Sequence, residues 1–297
     1  MKELVVISGK GGTGKTSLTA SFAVLAGQSV IADCDVDAAD LHLVLQPKTK
    51  TRSEFYSGHK AVINQPECSG CGLCQDQCRF DAVKLNESDD SDEMFYIDEY
   101  LCEGCGVCVR FCPELAIDFP ESLCGEWMIS ETRCGPMVHA QLGVAAENSG
   151  KLVATVRREA RKIAQEQNRS MIIVDGPPGI GCPVIASIAG ANLVLIVTEP
   201  SLSGLHDLER VSDVAKHFAV PAAVCINKWD INPDITAQIE RVVTSRGLSL
   251  VEKIRYDTAV TEAQIRKQAV VEYQTEGCAQ EIRSVWEHVQ KTLKDMK

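Results

Sequence analysis

Eight cysteines in two matching runs constrain the fold of this 297-residue chain more than any other feature. The first run has the spacing C-x2-C-x2-C-x3-C and consists of Cys68, Cys71, Cys74 and Cys78. The second run repeats that spacing and consists of Cys102, Cys105, Cys108 and Cys112. Glycines between the cysteines allow each loop to curl around a small object. Thiols at this spacing are typical of a site for two [4Fe–4S] clusters.

Each predicted set of cluster ligands takes three thiolates from one run and the fourth from the other run. One set consists of Cys68, Cys71, Cys74 and Cys112. The other set consists of Cys102, Cys105, Cys108 and Cys78. Structural zinc is the alternative, but zinc sites use pairs of C-x-x-C and match these runs poorly. Because no signal peptide is recognisable, metal ligation explains the fourteen cysteines better than disulfides do.

A phosphate-binding sequence, G-K-G-G-T-G-K-T, occupies Gly9–Thr16 between an apolar run and a helical pattern. That context is the one that the motif requires, because its backbone N–H groups surround phosphate at a helix N-terminus. The expected nucleotide-binding residues are Gly9, Lys10, Gly11, Gly12, Thr13, Gly14, Lys15, Thr16 and Ser17. Lys15 would pair with phosphate oxygens, and the hydroxyl group of Thr16 would bind Mg²⁺.

Two carboxylates are expected to complete the phosphate site. Asp175 follows the apolar run at 171–174 and precedes the sequence G-P-P-G, where a carboxylate suits Mg²⁺, usually through water. Asp35 is placed to orient the water molecule that attacks the terminal phosphate. For the neighbouring Asp33 and Asp37, turn and capping roles are the better explanation.

Alternating strand and helix patterns predict an α/β fold with a mostly parallel sheet flanked by helices. The predicted strands are Leu4–Ile7, Ser29–Ala32, Met171–Val174, Leu193–Val197 and Ala222–Ile226. The predicted helices are Lys15–Ala26, Lys151–Gln167, Gly204–Phe218, Asp234–Arg246 and Ala279–Met296. Helical patterning stops near residue 65 and resumes after residue 119. We therefore assign 1–64 and 120–297 to a nucleotide-binding domain and 65–119 to an inserted α+β domain, with an acidic loop at 86–93.

The charge of the chain is unevenly distributed. Its net charge is −11, and the segment 54–118 carries 14 acidic and four basic residues. Such a field repels nucleic acid and anionic membranes and could steer a basic protein partner, although a solvated acidic surface explains it equally well. No apolar run approaches the roughly 20 residues of a membrane span. We expect a cytoplasmic protein without stable membrane association and without a nucleic-acid partner.

The sequence K-G-G-T-G-K-T at Lys10–Thr16 is a deviant Walker A motif. In this motif the chain resembles the MinD/ParA-type ATPases, whose relatives include nitrogenase iron protein and the Mrp cluster carriers. With the two cysteine runs and the segment TRCGPMVHAQLGVAAENSGKLV (Thr132–Val153), it resembles the members that contain an inserted bacterial-type ferredoxin domain. The resemblance covers essentially the whole chain.

The resemblance implies a slow, partner-stimulated Mg-ATP hydrolase that forms a homodimer around nucleotide. In such a dimer Lys10 would reach the partner subunit's phosphates. The implied catalytic residues are Lys10, Lys15 and Asp35. Asp35 would belong to switch I, and Gly176–Gly181 would form switch II.

The resemblance also implies that Asn227, with Lys228 beside it, contacts the nucleotide base. The tetrapeptide at Asn227–Asp230 reads N-K-W-D. Because N-K-x-D is also the sequence that reads guanine in GTPases, GTP stays open as an alternative to ATP.

Two functions remain open from the sequence. In the first, nucleotide-driven dimerisation is coupled to electron transfer through the two clusters, to or from a redox or metal-cofactor-binding protein. In the alternative, the chain is an ATP-dependent scaffold or maturation factor for iron–sulfur or other metal cofactors. Fully ligated clusters are poorly suited to release, so this alternative needs a further site. Only Cys182 and Cys134 offer one, and an isolated cysteine, like the nearby His139, is more often structural.

Overall fold

The computed structural model describes residues 1–86, 94–143 and 149–296, so the predicted acidic loop at 86–93 lies outside it except for Asn86. The strands are β1 Lys2–Ser8, β2 Val30–Asp33, β3 Lys48–His59, β4 Val62–Ile63, β5 Val83–Leu85, β6 Phe95–Ile97, β7 Ile117–Asp118, β8 Glu121–Thr132, β9 Gly135–Leu142, β10 Met171–Pro178, β11 Leu193–Thr198, β12 Ala222–Asn227 and β13 Ser249–Ile254. The helices are α1 Lys15–Ala26, α2 Leu41–Leu45, α3 Leu73–Asp76, α4 Val107–Phe111, α5 Ser149–Glu166, α6 Cys182–Ile188, α7 Leu202–His217, α8 Pro233–Ser245, α9 Ala259–Ile265, α10 Val270–Tyr273 and α11 Cys278–Asp295.

The chain divides into two compact units. The first unit contains residues 1–53, 126–142 and the chain from 149 onward. The second unit contains Glu54–Gly125, and the predicted domain at 65–119 lies within it. None of the helices among the described residues is both long enough and apolar enough to cross a membrane.

Nine strands form one sheet with the strand order β13-β12-β11-β1-β10-β2-β9-β8-β3, and the strands from β13 to β9 lie wholly in the first unit. Neighbouring strands from β13 to β9 pair in parallel. The predicted α/β fold with a mostly parallel sheet is therefore confirmed. The apolar strands explain it, because a parallel sheet covered on both faces needs strands that are apolar on both sides. In β1, Leu4, Val5, Val6 and Ile7 have no exposed surface.

The parallel order brings the ends of several strands to one edge of the sheet. Register pairing sets Asp175 of β10 beside Asp33 of β2 on one side and beside Val6 of β1 on the other. The chain leaves β1 at Ser8 and β12 at Asn227 on the same edge. Ligands in open parallel sheets bind at the carboxyl ends of the strands.

Helix α1 begins and ends where the sequence predicted. Gly14 precedes it in the left-handed conformation, and Gly27 follows it at φ 70° and donates its N–H to the carbonyl of Ala23. The ring of Phe22 is buried and lies 5.1 Å from the ring of Trp286 in α11. The helix that follows the phosphate loop therefore packs against the C-terminal helix.

Four strands of the large sheet were not predicted from the sequence, namely β3, β8, β9 and β13. Strand β3 reads KTKTRSEFYSGH, which lacks the apolar run that marks a buried strand, and most of its residues are exposed. Strands β8 and β9 are joined by the two-residue turn Arg133–Cys134, and β9 pairs in parallel with β2. These strands extend the sheet beyond the part that apolar runs can predict.

The second unit repeats one small motif. Strand β4 pairs antiparallel with β7, and β5 pairs antiparallel with β6. Helices α3 and α4 each follow a glycine at positive φ, which is Gly72 at 76° and Gly106 at 70°. Three residues beyond the last cysteine of each run, Asp81 and Leu115 also adopt positive φ, at 54° and 52°. The internal sequence repeat therefore corresponds to a structural repeat.

Candidate functional site

The glycine-rich loop connects β1 to α1 at the carboxyl edge of the first unit's sheet. Gly12 and Gly14 adopt φ values of 79° and 89°, which glycine tolerates better than other residues. A side chain at Gly14 would also collide with Asn227, since a Cβ there would lie 2.3 Å from the Nδ2 atom of that residue. Asn227 uses this close approach to donate from Nδ2 to the carbonyl of Thr13, at 2.7 Å. The end of β12 is thereby fastened to the loop.

Lys15 lies between two carboxylates at the start of α1. Its ammonium is 2.9 Å from Oδ1 of Asp175 and 3.4 Å from Oδ2 of Asp35. Burial acts to lower the pKa of Lys15, but attraction to Asp175 and Asp35 outweighs it and raises that pKa above its ordinary value. The hydroxyl group of Thr16 donates to Oδ2 of Asp175 at 2.9 Å, and Thr19 donates to Oδ1 at 2.8 Å. Asp175 is therefore fixed by three donors beside the phosphate loop.

Asp33 lies beside Asp175 in the sheet and forms a hydrogen bond with the backbone. Its Oδ1 accepts the N–H of Asp35 at 3.2 Å, which is the turn role expected for it. Burial, together with the charge of neighbouring Asp175, raises the pKa of Asp33 well above its usual range. The pKa of Asp35 is also raised by burial, against the attraction of Lys15. Asp33 therefore stabilises the turn that carries Asp35.

A cavity of about 420 Å³ opens over the loop and the start of α1. The predicted residues that line it are Gly11, Gly12, Thr13, Gly14, Lys15, Thr16, Ser17, Asp35, Asn227 and Lys228. Gly9 lies elsewhere, against α7, where a Cβ would come within 2.2 Å of the Cβ of Asp207. The cavity combines backbone donors, one buried cation and carboxylates, which is the chemistry that a nucleoside polyphosphate with Mg²⁺ requires.

The far side of the cavity contains residues that the sequence did not single out. Val260, Thr261 and Gln264 of α9 line it, and Gln264 donates from Nε2 to the hydroxyl group of Ser17 at 2.9 Å. Tyr256 and Asp257, which follow β13, line it as well. No motif marks these positions, because they come together only through the fold.

The N-K-W-D tetrapeptide divides into two parts in the structure. Asn227 and Lys228 line the cavity, and the ammonium of Lys228 donates to the carbonyl of Gly12 at 2.8 Å. Asp230 instead accepts the backbone N–H of Tyr256 at 2.7 Å and is not among the residues that line the cavity. Asp230 therefore supports the loop after β13.

Lys10 points away from the cavity toward the end of β11. Its ammonium lies 2.7 Å from Oε1 of Glu199 and donates to the hydroxyl groups of Ser201 at 3.0 Å and Ser203 at 2.9 Å. Glu199 also pairs through Oε2 with Lys228, at 3.1 Å. Burial acts to raise the pKa of Glu199, but its bonds to Lys10 and Lys228 outweigh this and lower that pKa. Sequence reasoning missed Glu199, because no motif includes it.

The second unit contains two narrow cavities, each lined by four of the cysteines. Cys68, Cys71, Cys74 and Cys112 line one of them. Cys102, Cys105, Cys108 and Cys78 line the other. The remaining lining of both cavities is largely apolar, including Ile63 and Phe95 in the first and Val83 and Ile97 in the second. Each cavity therefore combines three cysteines of one run with one cysteine of the other.

The two cysteine cavities share further details. Sγ of Cys78 accepts the N–H of Ala82, and Sγ of Cys112 accepts the N–H of Ala116, both at 3.3 Å. Burial raises the pKa of the Cys108 thiol to about 11. Within the described part of the chain, no three His, Cys, Asp or Glu side chains are close enough to bind one metal ion together.

The residues with no assigned role, Cys182, Cys134 and His139, do not line these cavities. Cys182 is exposed and begins α6, whereas Cys134 is buried in the turn between β8 and β9. His139 of β9 is buried and lies 2.7 Å from the hydroxyl group of Ser130, measured from Nε2. Burial, with smaller electrostatic contributions from His42 and Arg52, lowers the pKa of His139 to about 4.

The fold and the loop geometry of the first unit define a P-loop nucleotide-binding protein. The sequence profile of the "CobQ/CobB/MinD/ParA nucleotide binding domain" family matches residues 4–270. The chain belongs to that family. The uncharacterised protein MJ0578 of Methanocaldococcus jannaschii is 35% identical over 234 residues, which are 77% of this chain and 79% of that protein.

Solved structures agree with the fold. The MinC:MinD cell division protein complex of Aquifex aeolicus is similar with a TM-score of 0.58 at 15% identity, covering 98% of this chain and 96% of the other. The septum site-determining protein MinD of Pyrococcus horikoshii, solved with Mg-ADP, gives a TM-score of 0.56 at 18% identity, again covering 98% and 96%. The expected membership of the MinD/ParA group is therefore confirmed at the level of family and fold.

Proposed function

We propose that this protein is a cytoplasmic Mg-ATP-dependent ATPase that couples nucleotide-driven dimerisation to electron transfer through two [4Fe–4S] clusters. The clusters would reside in an inserted bacterial-type ferredoxin domain at 65–119, and the remainder would form the nucleotide-binding domain. The observation that carries the proposal is the lining of the two cavities by four cysteines each. The nucleotide cavity in the same chain supports the ATPase part of the proposal.

The cysteine cavities fit a cubane cluster on chemical grounds. A cluster of four irons and four sulfides needs four thiolates around an object larger than one ion, in an apolar pocket with N–H groups directed at sulfur. Thiolates that share a single zinc ion lie about 2.3 Å from it, so they lie much closer together than thiolates around a cluster. Each apolar cavity is lined by four cysteines, and the sulfur of one of them, Cys78 or Cys112, accepts a backbone N–H. This arrangement supports a cluster.

The clusters would supply one-electron redox chemistry, and the chain's own residues would tune it. The apolar linings would limit the contact of water with the clusters, and the N–H groups of Ala82 and Ala116 would stabilise negative charge on two ligands. Cys71 and Cys105 are exposed, so each would give its cluster an edge toward a docked protein. A redox or metal-cofactor-binding protein is the proposed partner, and the acidic charge of this unit favours a basic one.

In the nucleotide site, neighbouring residues would bind the phosphates, hold Mg²⁺ and orient the attacking water. The N–H groups of the loop and the ammonium of Lys15 would bind the phosphates. The Thr16 hydroxyl and Asp175 would hold Mg²⁺ directly or through water, and Asp35 would orient the attacking water. Since Asp230 is engaged by Tyr256 and does not line the cavity, ATP is the proposed nucleotide in preference to GTP.

The scaffold or maturation function receives less support. It requires a transferable cluster outside the two four-cysteine cavities. Cys134 is buried, so Cys182 is the accessible candidate of the two that the sequence offered. A single exposed thiol is insufficient to bind a cluster within one chain.

Anaerobic purification tests the proposal. We expect about eight irons and eight sulfides per chain, together with Mg-ATP hydrolysis that Lys15→Ala abolishes without loss of iron. Zinc in place of iron would contradict the electron-transfer half of the proposal. Hydrolysis that survives in the Lys15→Ala variant would contradict the nucleotide half.

A further inference from the structure

Lys10 has all of its hydrogen-bonding capacity satisfied within its own subunit. An ammonium carries three N–H donors, and Lys10 has three acceptors at 2.7 to 3.0 Å, namely Glu199, Ser201 and Ser203. To contact a phosphate of another subunit, Lys10 must leave all three. The arrangement therefore opposes the contact that the proposed dimer requires.

The three acceptors are presented by regular structure. Glu199 directly follows β11, and Ser201 caps α7 by accepting the N–H of Gly204 at 3.0 Å. Ser203 lies in the first turn of α7. Because strand and helix fix these positions, the acceptors form a preorganised binding site for an ammonium.

Glu199 also has a second cation that remains in place if Lys10 leaves. Oε2 of Glu199 lies 3.1 Å from the ammonium of Lys228, which is fastened to the carbonyl of Gly12. Side chains of Lys10 and Glu199 are 29% and 20% exposed, so solvent screens their attraction only in part. Release of Lys10 therefore leaves Glu199 paired with Lys228, which lowers the free-energy cost of the release.

We propose that Glu199 is a positioning residue that holds Lys10 in its own subunit and thereby sets the ATP concentration at which two subunits associate. This proposal rests on the proposed ATP-driven dimer. On association, the ammonium of Lys10 exchanges the carboxylate of Glu199 for a phosphate of the partner-bound nucleotide. Nothing is oxidised or cleaved in this step, which exchanges one ion pair for another. Glu199 thus restrains dimerisation in the absence of ATP.

The hold on Lys10 can be measured without nucleotide. Reductive methylation of the free wild-type protein, followed by peptide mass spectrometry, reports how accessible the amine of Lys10 is. We expect Glu199→Gln to raise the methylation rate of Lys10 several-fold. The matched control is Glu240→Gln, which removes an ion pair of equal length, 2.7 Å, to Lys253 elsewhere in the same unit. An unchanged rate at Lys10 in Glu199→Gln would overturn the proposal.

The effect on dimerisation is measured by sedimentation velocity at increasing concentrations of a non-hydrolysable ATP analogue. We expect Glu199→Gln to lower the analogue concentration for half-maximal dimerisation several-fold, with Glu240→Gln unchanged. Lys10→Met should raise that concentration or abolish dimerisation, because the proposed dimer requires the Lys10 contact. Adding Glu199→Gln to Lys10→Met should not restore dimerisation, because the hold acts through Lys10. An equal effect with and without Lys10 would show that Glu199 acts by another route and would overturn the proposal.

The two experiments separate this proposal from the proposed function. If the analogue binds but the wild type and Glu199→Gln both stay monomeric, the dimer fails and the restraint fails with it. If the wild type dimerises and Glu199→Gln matches it at every analogue concentration, only the role of Glu199 is overturned. Faster methylation together with easier dimerisation supports both.

Discussion

At the scale of single residues, each site is formed by side chains that come from distant parts of the chain. Asp175 is fixed by Lys15, Thr16 and Thr19. Cys78 and Cys112 are each separated in sequence from the three cysteines with which they line a cavity. Single substitutions therefore test which residues act together.

Asp35 should affect hydrolysis more than binding. Its carboxylate lies 3.4 Å from the ammonium of Lys15 and lines the nucleotide cavity. We expect Asp35→Asn to reduce the hydrolysis rate about 10²-fold, since a positioned base contributes 10²- to 10⁴-fold. Affinity for Mg-ADP, measured by calorimetry, should change little. The control is Asp37→Asn, because Asp37 is exposed and does not line the cavity; equal loss in both variants would contradict this role.

Substitution of Cys78 and substitution of Cys112 should affect different clusters. Cys78→Ser should lose or convert one cluster and retain the other, and Cys112→Ser should do the same to the opposite cluster. We expect iron contents between about four and seven per chain, against about eight in the wild type. EPR spectra would identify which cluster survives in each variant. The control is Cys182→Ser, which should keep all of its iron; loss of the same cluster in both cysteine variants would contradict the proposed ligand sets.

At the scale of elements, the sequence predicted those parts whose local signals agree with the fold. Helix α1 was predicted at its observed limits, because Gly14 and Gly27 mark its two ends. The phosphate loop was recognised because its function requires a fixed spacing. Strand β3 was missed because its sequence is polar, and its place is set by pairing with distant strands. Local periodicity carries no information on such pairing.

The candidate site was predicted to the same degree. Lys15, Asp35 and Asp175 were found because a strand end or a motif marks each of them. Glu199 and Gln264 were missed, because an isolated acid or amide in a loop or helix has no pattern. The cysteine runs predicted a cluster site, but that assignment stays a prediction until a cluster is measured.

Substitutions at two glycines of the phosphate loop distinguish the cost of backbone strain from the cost of a steric collision. Gly12→Ala meets no atom within 4 Å but must adopt φ 79°, which should cost about 1–2 kcal/mol of unfolding free energy. Gly14→Ala carries the same strain and also displaces Asn227 from Thr13, so roughly 1 kcal/mol more should be lost. Urea unfolding under anaerobic conditions measures both. Equal costs would show that the contact of Asn227 with the loop has no energetic weight.

The hairpin of β8 and β9 should be sensitive to acid. The pKa of His139 is lowered to about 4 in the folded protein, mainly by burial, whereas an unfolded histidine has a pKa of about 6.5. The unfolded state therefore binds a proton first, and stability falls as the pH drops from about 6.5 towards 4. Thermal unfolding of the wild type and of His139→Gln across this range tests this. Parallel pH profiles would contradict a neutral, buried His139.

At the scale of the whole molecule, one chain combines a nucleotide cavity with two four-cysteine cavities. The segment at 54–118 carries most of the net charge of −11, which separates it electrostatically from the rest of the chain. The family membership accounts for the nucleotide-binding unit but not for the cysteines. In the proposed function, nucleotide binding changes the redox properties of the clusters.

The most direct test is an anaerobic EPR titration of both clusters without nucleotide, with Mg-ADP and with a non-hydrolysable Mg-ATP analogue. We predict that the analogue shifts the midpoint potential of at least one cluster by about 60 mV or more, a tenfold change in a one-electron equilibrium. Such a shift would mean that nucleotide binding controls electron transfer. Identical potentials in all three states would contradict this coupling.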